Sequence, residues 1–279
     1  MSIWSCPVCG ENLLRQKNNN SSNDILVCKN NHSFDYARSG YVNLLPANRK
    51  RTKLPGDNNF MVNARRSFLS QDFYKPMSDK LCEVIDSFMP CRGVILDAGC
   101  GEGYYTKNIY RFLSDNGKSP YVYGIDIAKC AVDSAAKSCK DAEFAVGSVF
   151  HLPVMNNSCN MLVSAFAPYC GDEFKRILKS DGKMILVIPG AYHLWELKKA
   201  VYDTPYKNNV QDYELSGFEF IGTEKVDYEI FLESSEDIKN LFAMTPYYYK
   251  TGRQEHIRLD ELQELNTKVS FEILQYKKK

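Results

Sequence analysis

Two short pairs of metal-ligand residues stand near the start of the chain. Cys6 and Cys9 flank two residues, and after an interval of eighteen residues Cys28 and His32 flank three more. Each pair can sit on a turn, and a shared ion would fix the two turns together, so the spacing predicts a tetrahedral zinc site. With four protein ligands such a site is closed and structural, and a segment this small needs the metal to fold. The alternative is a disordered tail with this spacing by chance.

A glycine-rich turn follows an apolar run in the central part of the chain. Residues 94–96 (Val-Ile-Leu) predict a buried parallel strand, and Asp97 then precedes three glycines at alternate positions, Gly99, Gly101 and Gly103. Glycines in a strand-to-helix turn let the backbone come close to a ligand. The pattern therefore predicts a cofactor site at this turn.

The acidic residues around the turn favour S-adenosylmethionine as the cofactor. Asp97 can hold the ammonium group, or water, around the methionine part, and Asp126 at the end of the next predicted strand can take both ribose hydroxyls. A nicotinamide enzyme would use an acidic residue similarly, but the turn has no G-x-G-x-x-G match. We therefore predict a methyltransferase whose cofactor lies against this glycine-rich turn, which leads into a helix that begins near Tyr104.

The elements needed to position these residues alternate between strands and helices. A helix is predicted from Pro76 and ends at Pro90. Further strands are predicted at 121–127, 143–147, 160–166 and 183–188. Further helices are predicted at 128–139, 171–179 and 193–203. Two late strands are predicted at 218–232 and 268–276. This order predicts an α/β protein with the class I methyltransferase fold, which is a Rossmann-like, mostly parallel seven-stranded sheet, and with a small N-terminal zinc-binding domain.

The distribution of charge divides the chain. Residues 1–66 carry ten Lys or Arg against four Asp or Glu, whereas residues 67–279 carry twenty-five against thirty. The densest positive charge comes from Arg49, Lys50, Arg51 and Lys53, followed by Arg65 and Arg66. These side chains either contact the phosphates of a polyanion or form a solvated face. We predict a zinc-binding, RNA-recognition domain at 1–45, a basic connector at 46–75 and a methyltransferase domain at 76–279.

The residues after the strand at 160–166 bear on the atom that is methylated. The chain has Ala-Phe-Ala-Pro-Tyr at 165–169, where enzymes that methylate exocyclic amines usually have Asn/Asp-Pro-Pro-aromatic, so a ring nitrogen is the more natural target. Cys100 and Cys170 do not stand in a pyrimidine-C5 nucleophile motif, which disfavours covalent catalysis. Four aromatic residues are candidates for stacking on a base, although they could equally belong to the core: Tyr104, Tyr105, Phe166 and Tyr169.

The chain contains no apolar run that approaches the roughly 20 residues of a membrane-spanning helix. Its first residues also lack the basic-then-apolar order of a signal peptide. We therefore predict a cytoplasmic protein with no membrane partner.

Motifs spread through nearly the whole chain are similar to those of one family, the bacterial 23S ribosomal RNA (guanine-N1)-methyltransferases. The resemblance rests on the zinc-ligand pattern, Gly-Tyr-Val-Asn-Leu-Leu-Pro at 40–46, Pro-Gly-Asp-Asn at 55–58, Ala-Arg-Arg at 64–66, Tyr74, Gly-Glu-Gly-Tyr-Tyr-Thr at 101–106, Ala-Pro at 167–168, Pro-Gly at 189–190, His193-Leu-x-Glu-Leu and Met-Thr-Pro at 244–246. The chain departs from the family at His151 and in a longer loop between the zinc pairs.

This resemblance implies methyl transfer from S-adenosylmethionine to N1 of a guanine in a hairpin of 23S ribosomal RNA, which the zinc domain helps to recognise. It also implies a cofactor pocket that includes Tyr74, Gly103, Tyr104 and His193. His193 could act as a general base or could pack against the methionine end of the cofactor. The expected partners are the RNA hairpin and, for assembly, a homodimer. The alternatives are a methyltransferase for another RNA or a small molecule, and a catalytically silent RNA-binding protein.

Overall fold

The computed structural model describes residues 2–17, 24–46, 56–209, 213–248 and 251–279. The prediction that Arg49, Lys50, Arg51 and Lys53 contact phosphates therefore concerns residues outside the described ones. The described strands are β1 Leu14–Lys17, β2 Asp24–Val27, β3 Ser33–Asp35, β4 Tyr41–Asn43, β5 Val94–Ala98, β6 Tyr121–Asp126, β7 Glu143–Val146, β8 Cys159–Ala165, β9 Leu178–Pro189, β10 Phe218–Leu232 and β11 Leu265–Lys278. The described helices are α1 Asn59–Leu69, α2 Lys75–Phe88, α3 Tyr104–Asp115, α4 Lys129–Ser138, α5 Gly171–Ile177, α6 Trp195–Val201, α7 Ser235–Ala243 and α8 Arg253–Glu261.

The large sheet has the strand order β10-β11-β9-β8-β5-β6-β7-β4. Strands β4 to β9 pair in parallel, whereas β11 is antiparallel both to β9 and to β10. The chain order reverses at β5, so the crevice between the ends of β5 and β8 is the topological switch point where such sheets bind ligands. The predicted class I methyltransferase fold is confirmed.

Helices on both faces of the sheet bury alternate residues of each central strand. Ile95 and Val163 pack with α2 and α3 on one face, and Leu96 and Leu162 pack on the opposite face. Successive residues of a strand point to opposite sides, so a strand covered on both faces is apolar throughout. The continuous apolar runs in the sequence follow from this.

An eighth strand from the N-terminal region extends the predicted seven-stranded sheet. The strand β4 pairs in parallel with β7, with Tyr41 opposite Phe144. Farther towards the N-terminus, Trp4 is fully buried and packs edge-on against Tyr123 of β6 at 5.4 Å between ring centroids. The N-terminal region, which was expected to be a separate domain, therefore shares a core with the methyltransferase sheet.

The predicted basic connector at 46–75 contains the helix α1. Asn58 caps this helix by accepting a hydrogen bond from the Met61 backbone N–H at 3.0 Å. Its buried side chains recur at helical spacing, namely Met61, Val62, Ala64, Phe68 and Leu69. Since α1 packs against α7 and α4, this part of the connector belongs to the globular body.

Among the residues that the structure describes, no helix is long and apolar enough to span a bilayer.

Candidate cofactor cavity and zinc cluster

The structure brings the four predicted zinc ligands together. Their ligand atoms all lie within 4.8 Å of one another. The Cys9 and Cys28 sulfurs are 3.7 Å apart, and Nδ1 of His32 lies 3.4 Å from the Cys28 sulfur and 3.6 Å from the Cys6 sulfur. A tetrahedron with zinc–sulfur bonds of about 2.3 Å has edges of roughly 3.8 Å, so these separations suit one zinc ion.

Backbone turns hold both pairs in place, as the spacing predicts. The Gly10 N–H donates to the Cys6 carbonyl at 2.8 Å, and Gly10 has a positive φ of 77°. The Asn31 N–H donates to the Cys28 carbonyl at 2.9 Å in the second turn. A hydrogen bond from the Glu11 backbone N–H lowers the pKa of the Cys9 thiol to about 6, which favours the thiolate form that binds metal.

A cavity of about 720 Å³ opens at the carboxyl ends of β5, β6, β8 and β9. Its lining includes residues of the glycine turn, of α1 and of the segments that follow the strands. Among the described lining residues, the formally charged side chains are those of Asp57, Arg65, Glu102 and Asp126. The volume is in the range of small-molecule and cofactor sites.

Two of the three predicted glycines line this cavity. Gly99 has a φ of 86°, and a Cβ on it would lie 2.3 Å from the Cβ of Ala167. Gly101 also has a positive φ, of 54°, and a Cβ on it would lie 3.7 Å from Nη1 of Arg65. The turn thus requires glycine at Gly99 both for backbone conformation and for its close approach to the segment after β8.

Gly103 and Tyr104 have different positions from those expected. Gly103 has a φ of 85°, and a Cβ on it would lie 2.8 Å from that of Ala135, so it permits close packing of the turn on α4. Tyr104 packs edge-on against Tyr105 at 5.1 Å, and it is Tyr105 that lines the cavity. The cofactor contacts expected of Gly103 and Tyr104 stay predictions, and in the structure the cavity lining nearest to them is Tyr105.

Asp97 is sealed beneath the turn and does not line the cavity. Only 1% of the residue is exposed, and its carboxylate accepts a hydrogen bond from the Thr106 hydroxyl at 2.5 Å. Burial raises the pKa of Asp97 to about 7. Asp97 thus ties β5 to α3, and it does not reach the cavity wall where a direct contact with the ammonium group was expected.

Asp126 lies on the cavity wall, with its carboxylate fixed by two backbone groups. The Gly101 N–H donates to Oδ2 at 3.1 Å, and the Ala128 N–H donates to Oδ1 at 2.8 Å. Burial raises the pKa of Asp126 despite these bonds. The carboxylate is held beside the glycine turn, where it can accept further hydrogen bonds from a ligand.

Tyr74 and His193 form a buried pair on another wall of the cavity. Nδ1 of His193 accepts the Ser270 backbone N–H at 3.2 Å, so in the neutral ring Nε2 carries the hydrogen and lies 3.3 Å from the Tyr74 hydroxyl. Burial, reinforced by the charge of Lys198, lowers the pKa of His193 to about 3. A ring with both nitrogens engaged in this way favours the packing role of His193 over the general-base role.

Aromatic side chains lie at the open side of the cavity. Phe166, directly after β8, is 44% exposed and has a φ of 58°, a conformation that costs a non-glycine residue about 1–2 kcal/mol. Its ring lies 5.8 Å from that of Phe271 and 6.3 Å from that of Tyr105. Tyr169, in contrast, packs on Phe174 outside the cavity lining.

Sequence reasoning missed an ion pair inside the cavity. Nη1 of Arg65 lies 2.6 Å from Oδ2 of Asp57, and Nη2 donates to the Met244 carbonyl at 3.3 Å. Arg65 had been grouped with the candidate phosphate contacts, and its position inside the cavity corrects that interpretation. The signal that could have located it is the apolar periodicity of α1, which places Met61, Arg65 and Leu69 on one face.

Comparisons with known protein families agree with this arrangement. The zinc-ribbon family described as "RlmA, N-terminal" matches residues 4–53. The family described as "Methyltransferase domain" matches residues 92–244, which is more than half of the chain.

Curated relatives and solved structures extend the match. The chain is 29% identical to YxjB of Bacillus subtilis (strain 168), a proposed 23S rRNA (guanine-N1)-methyltransferase, over 98% of this chain and 96% of that protein. It is 33% identical to another such proposed enzyme from Micromonospora griseorubida, over 69% of this chain and 67% of that protein. The 23S rRNA (guanine(748)-N1)-methyltransferase of Streptomyces fradiae is also 33% identical, over 70% of this chain and 66% of that protein. The crystal structure of the YcgJ protein of Bacillus subtilis aligns with a TM-score of 0.50 at 16% identity, over 72% of this chain and 99% of that one, which supports the fold.

Proposed function

Because this chain belongs to the 23S rRNA (guanine-N1)-methyltransferase family, we propose that it transfers a methyl group from S-adenosylmethionine to N1 of one guanine in a hairpin of 23S ribosomal RNA. The observation that carries the proposal is the joint presence of a cofactor-sized cavity at the sheet's switch point and a four-ligand zinc cluster on the same body. A methyltransferase for a small molecule has no need of such a module.

The cofactor assignment follows the geometry of the cavity. We propose that Asp126 accepts hydrogen bonds from the ribose hydroxyls and that the backbone at Gly99 and Gly101 lies against the cofactor. Tyr74 and His193 then face its methionine end. Because Nε2–H of His193 points at the Tyr74 oxygen, the Tyr74 hydroxyl hydrogen is directed elsewhere and can be donated to a ligand.

The zinc ion is structural in this proposal. Cys6, Cys9, Cys28 and His32 hold it, and no coordination position is left for a substrate. We propose that the module around this ion is the part of the chain that recognises the RNA hairpin. A homodimer and a cytoplasmic location stay predictions, and light scattering of the purified protein tests the first.

The reaction requires the target guanine to leave its stack, because N1 lies in the base-paired face of a helix. N1 of guanine also carries a proton at neutral pH, which must be lost for the methyl group to be accepted. In the described cavity the exposed ring of Phe166 offers a surface on which the extruded base can stack. His193 does not take the proton through Nε2, since that nitrogen already carries the ring hydrogen. Positioning of N1 against the sulfonium methyl is therefore the main contribution of the chain.

The test is a methylation assay with unmodified 23S ribosomal RNA. The zinc-loaded protein is incubated with S-adenosylmethionine labelled on the transferred methyl, and the product is analysed by primer extension. Methylation of N1 blocks base pairing, so we expect label in the RNA and one new stop of the reverse transcriptase next to a guanine.

Two controls make this result specific. An RNA with adenine in place of the identified guanine should accept no label at that site, and the Asp126→Ala variant should label the natural RNA much more slowly. Label without a stop would assign the methyl group to another atom. Absence of label in any ribosomal RNA would refute the proposed substrate.

A further inference from the structure

The cavity contains one described cationic side chain among three carboxylates. Arg65 faces Asp57, Glu102 and Asp126. Burial lowers the pKa of Arg65, but interactions with these three carboxylates outweigh it and raise the pKa overall. Only 24% of the Arg65 side chain is exposed. A phosphate of an RNA backbone brought to this place would meet the three carboxylates as well. The position therefore argues against a role in RNA binding.

The known contacts of Arg65 do not use all of its hydrogen-bond donors. A guanidinium group has five N–H donors, and the contacts described above direct one towards Asp57 and one towards the Met244 carbonyl. Asp57 and Met244 thereby fix the plane of the group. Met61 and Leu69, one turn to either side on α1, line the same cavity and keep Arg65 turned inward.

The guanidinium group lies directly over the glycine turn. Nη1 is 3.7 Å from the place that a Cβ would occupy on Gly101, and the Gly101 N–H is bonded to Asp126. With the ribose held at Asp126, the amino-acid tail can run along the cavity over Gly101 and Gly99, which line it beside Asp126. The tail then ends beside Arg65.

Charge compensation requires a cation at that end of the cofactor. The methionine tail carries an α-carboxylate, and placing it among three other carboxylates is costly unless a positive group pairs with it. His193 is neutral, so Arg65 is the one cationic side chain among the described lining residues. Its planar donor fork matches a carboxylate.

We propose that Arg65 binds the α-carboxylate of S-adenosylmethionine and that Asp57 is the positioning residue that holds its guanidinium group in place. This inference rests on the proposed function only for the identity of the cofactor. It transfers to Arg65 the recognition of the amino-acid tail that Asp97, sealed beneath the turn, cannot perform.

The test compares two ligands that share the adenosine and thioether parts. S-Adenosylhomocysteine has the amino-acid tail, whereas 5′-deoxy-5′-methylthioadenosine lacks it. Titration calorimetry of the full zinc-loaded chain should show that Arg65→Gln weakens the first ligand about 10- to 100-fold, the scale of hydrogen bonds to a charged group, and changes the second less than about threefold. Asp57→Asn should weaken only the first ligand, by a smaller factor. The matched control is Arg66→Gln, which changes an exposed arginine of the same helix and should affect neither ligand.

Several outcomes would overturn the inference. Equal weakening of both ligands would make Arg65 a support of the cavity, and an unchanged affinity for S-adenosylhomocysteine would show no contact with the tail. If Arg65→Gln does not fold, Arg65→Lys can be used, because it keeps a cation. This variant should bind S-adenosylhomocysteine about 3- to 10-fold more weakly and should bind 5′-deoxy-5′-methylthioadenosine with unchanged affinity. Because the titrations contain no RNA, their result does not depend on whether the protein methylates guanine in the assay described above. Failure of the wild-type protein to bind either ligand would instead refute the proposed cofactor itself.

Discussion

The buried carboxyl group of Asp97 should make the stability of this protein depend on pH in a predictable direction. Burial raises its pKa from 3.8 to about 7 in the folded state. Between these values the folded chain keeps a proton that the unfolded chain has lost, so this contribution to stability is full below pH 4 and is lost as the pH rises through 7. Since one pKa unit corresponds to about 1.4 kcal/mol, ionised Asp97 costs the folded state on the order of 4 kcal/mol.

The Asp97→Asn variant removes the ionisation and keeps the shape of the side chain. Urea unfolding at pH 5, 6, 7 and 8 should therefore show the variant gaining stability relative to wild type with each step, by about 2.6 kcal/mol in total and mostly between pH 5 and 7. The pKa values of Glu102 and Asp126 are raised in the wild type too, and beyond the ionisation of Asp97 itself only the charge interaction of these two groups with Asp97 enters this difference. Asp115→Asn, at an exposed end of α3, controls for the loss of one negative charge.

The same variant also distinguishes the two roles considered for Asp97. Its cofactor affinity should stay within about threefold of wild type, because Asp97 does not line the cavity. A stability difference that does not change with pH would refute the reasoning about burial. A loss of cofactor affinity of about tenfold or more would instead restore the direct ammonium contact.

Three further predictions concern the other sites. Asp126→Ala should weaken S-adenosylmethionine by about 1–3 kcal/mol in titration calorimetry, the scale for losing hydrogen bonds to a charged group, and unchanged affinity would contradict the ribose assignment. Cys28→Ser should release zinc, as measured by metal analysis, and should lower Tm by roughly 2–4 °C for each kcal/mol of stability lost. The protein should still unfold in a single calorimetric transition, because Trp4 lies in the core that the N-terminal region shares with the sheet. Two separate transitions would argue against that shared core. Phe166→Asn keeps a residue that tolerates positive φ but removes the ring. We expect kcat/KM for RNA to fall by a factor that corresponds to about 1–3 kcal/mol of lost base stacking, while cofactor affinity stays unchanged. An equal loss in kcat/KM and in cofactor affinity would assign the ring to the cofactor.

The sequence was sufficient for features that depend on local pattern. The predicted strand at 160–166 lies within one residue of the buried strand β8, and the spacing of the four zinc ligands brought the right residues together. Strands buried on both faces are continuously apolar, and chelating pairs must be close in sequence, so both signals can be read directly.

Features that depend on side-chain direction and on distant contacts could not be read in this way. Asp97 and Asp126 both follow apolar strand residues, yet the first is sealed under Thr106 and the second faces the cavity. The three residues of β4 are too few to show a period. The charge of Arg65 also gives no sign that its side chain turns inward, and only the apolar periodicity of α1 around it points that way.

The strand β4 and the buried tryptophan have a consequence for the order in which the chain can fold during synthesis. Tyr41 pairs with Phe144, and Trp4 forms a bridge with Val154, so both partners emerge from the ribosome long after the N-terminal region. Until then, that region can be held only by contacts within itself. The metal ligands span residues 6–32, so zinc can close the module while the residues that complete its core are still unsynthesised. Cells short of zinc should therefore lose this protein during synthesis, and folded molecules that already share the common core should survive the same shortage for longer.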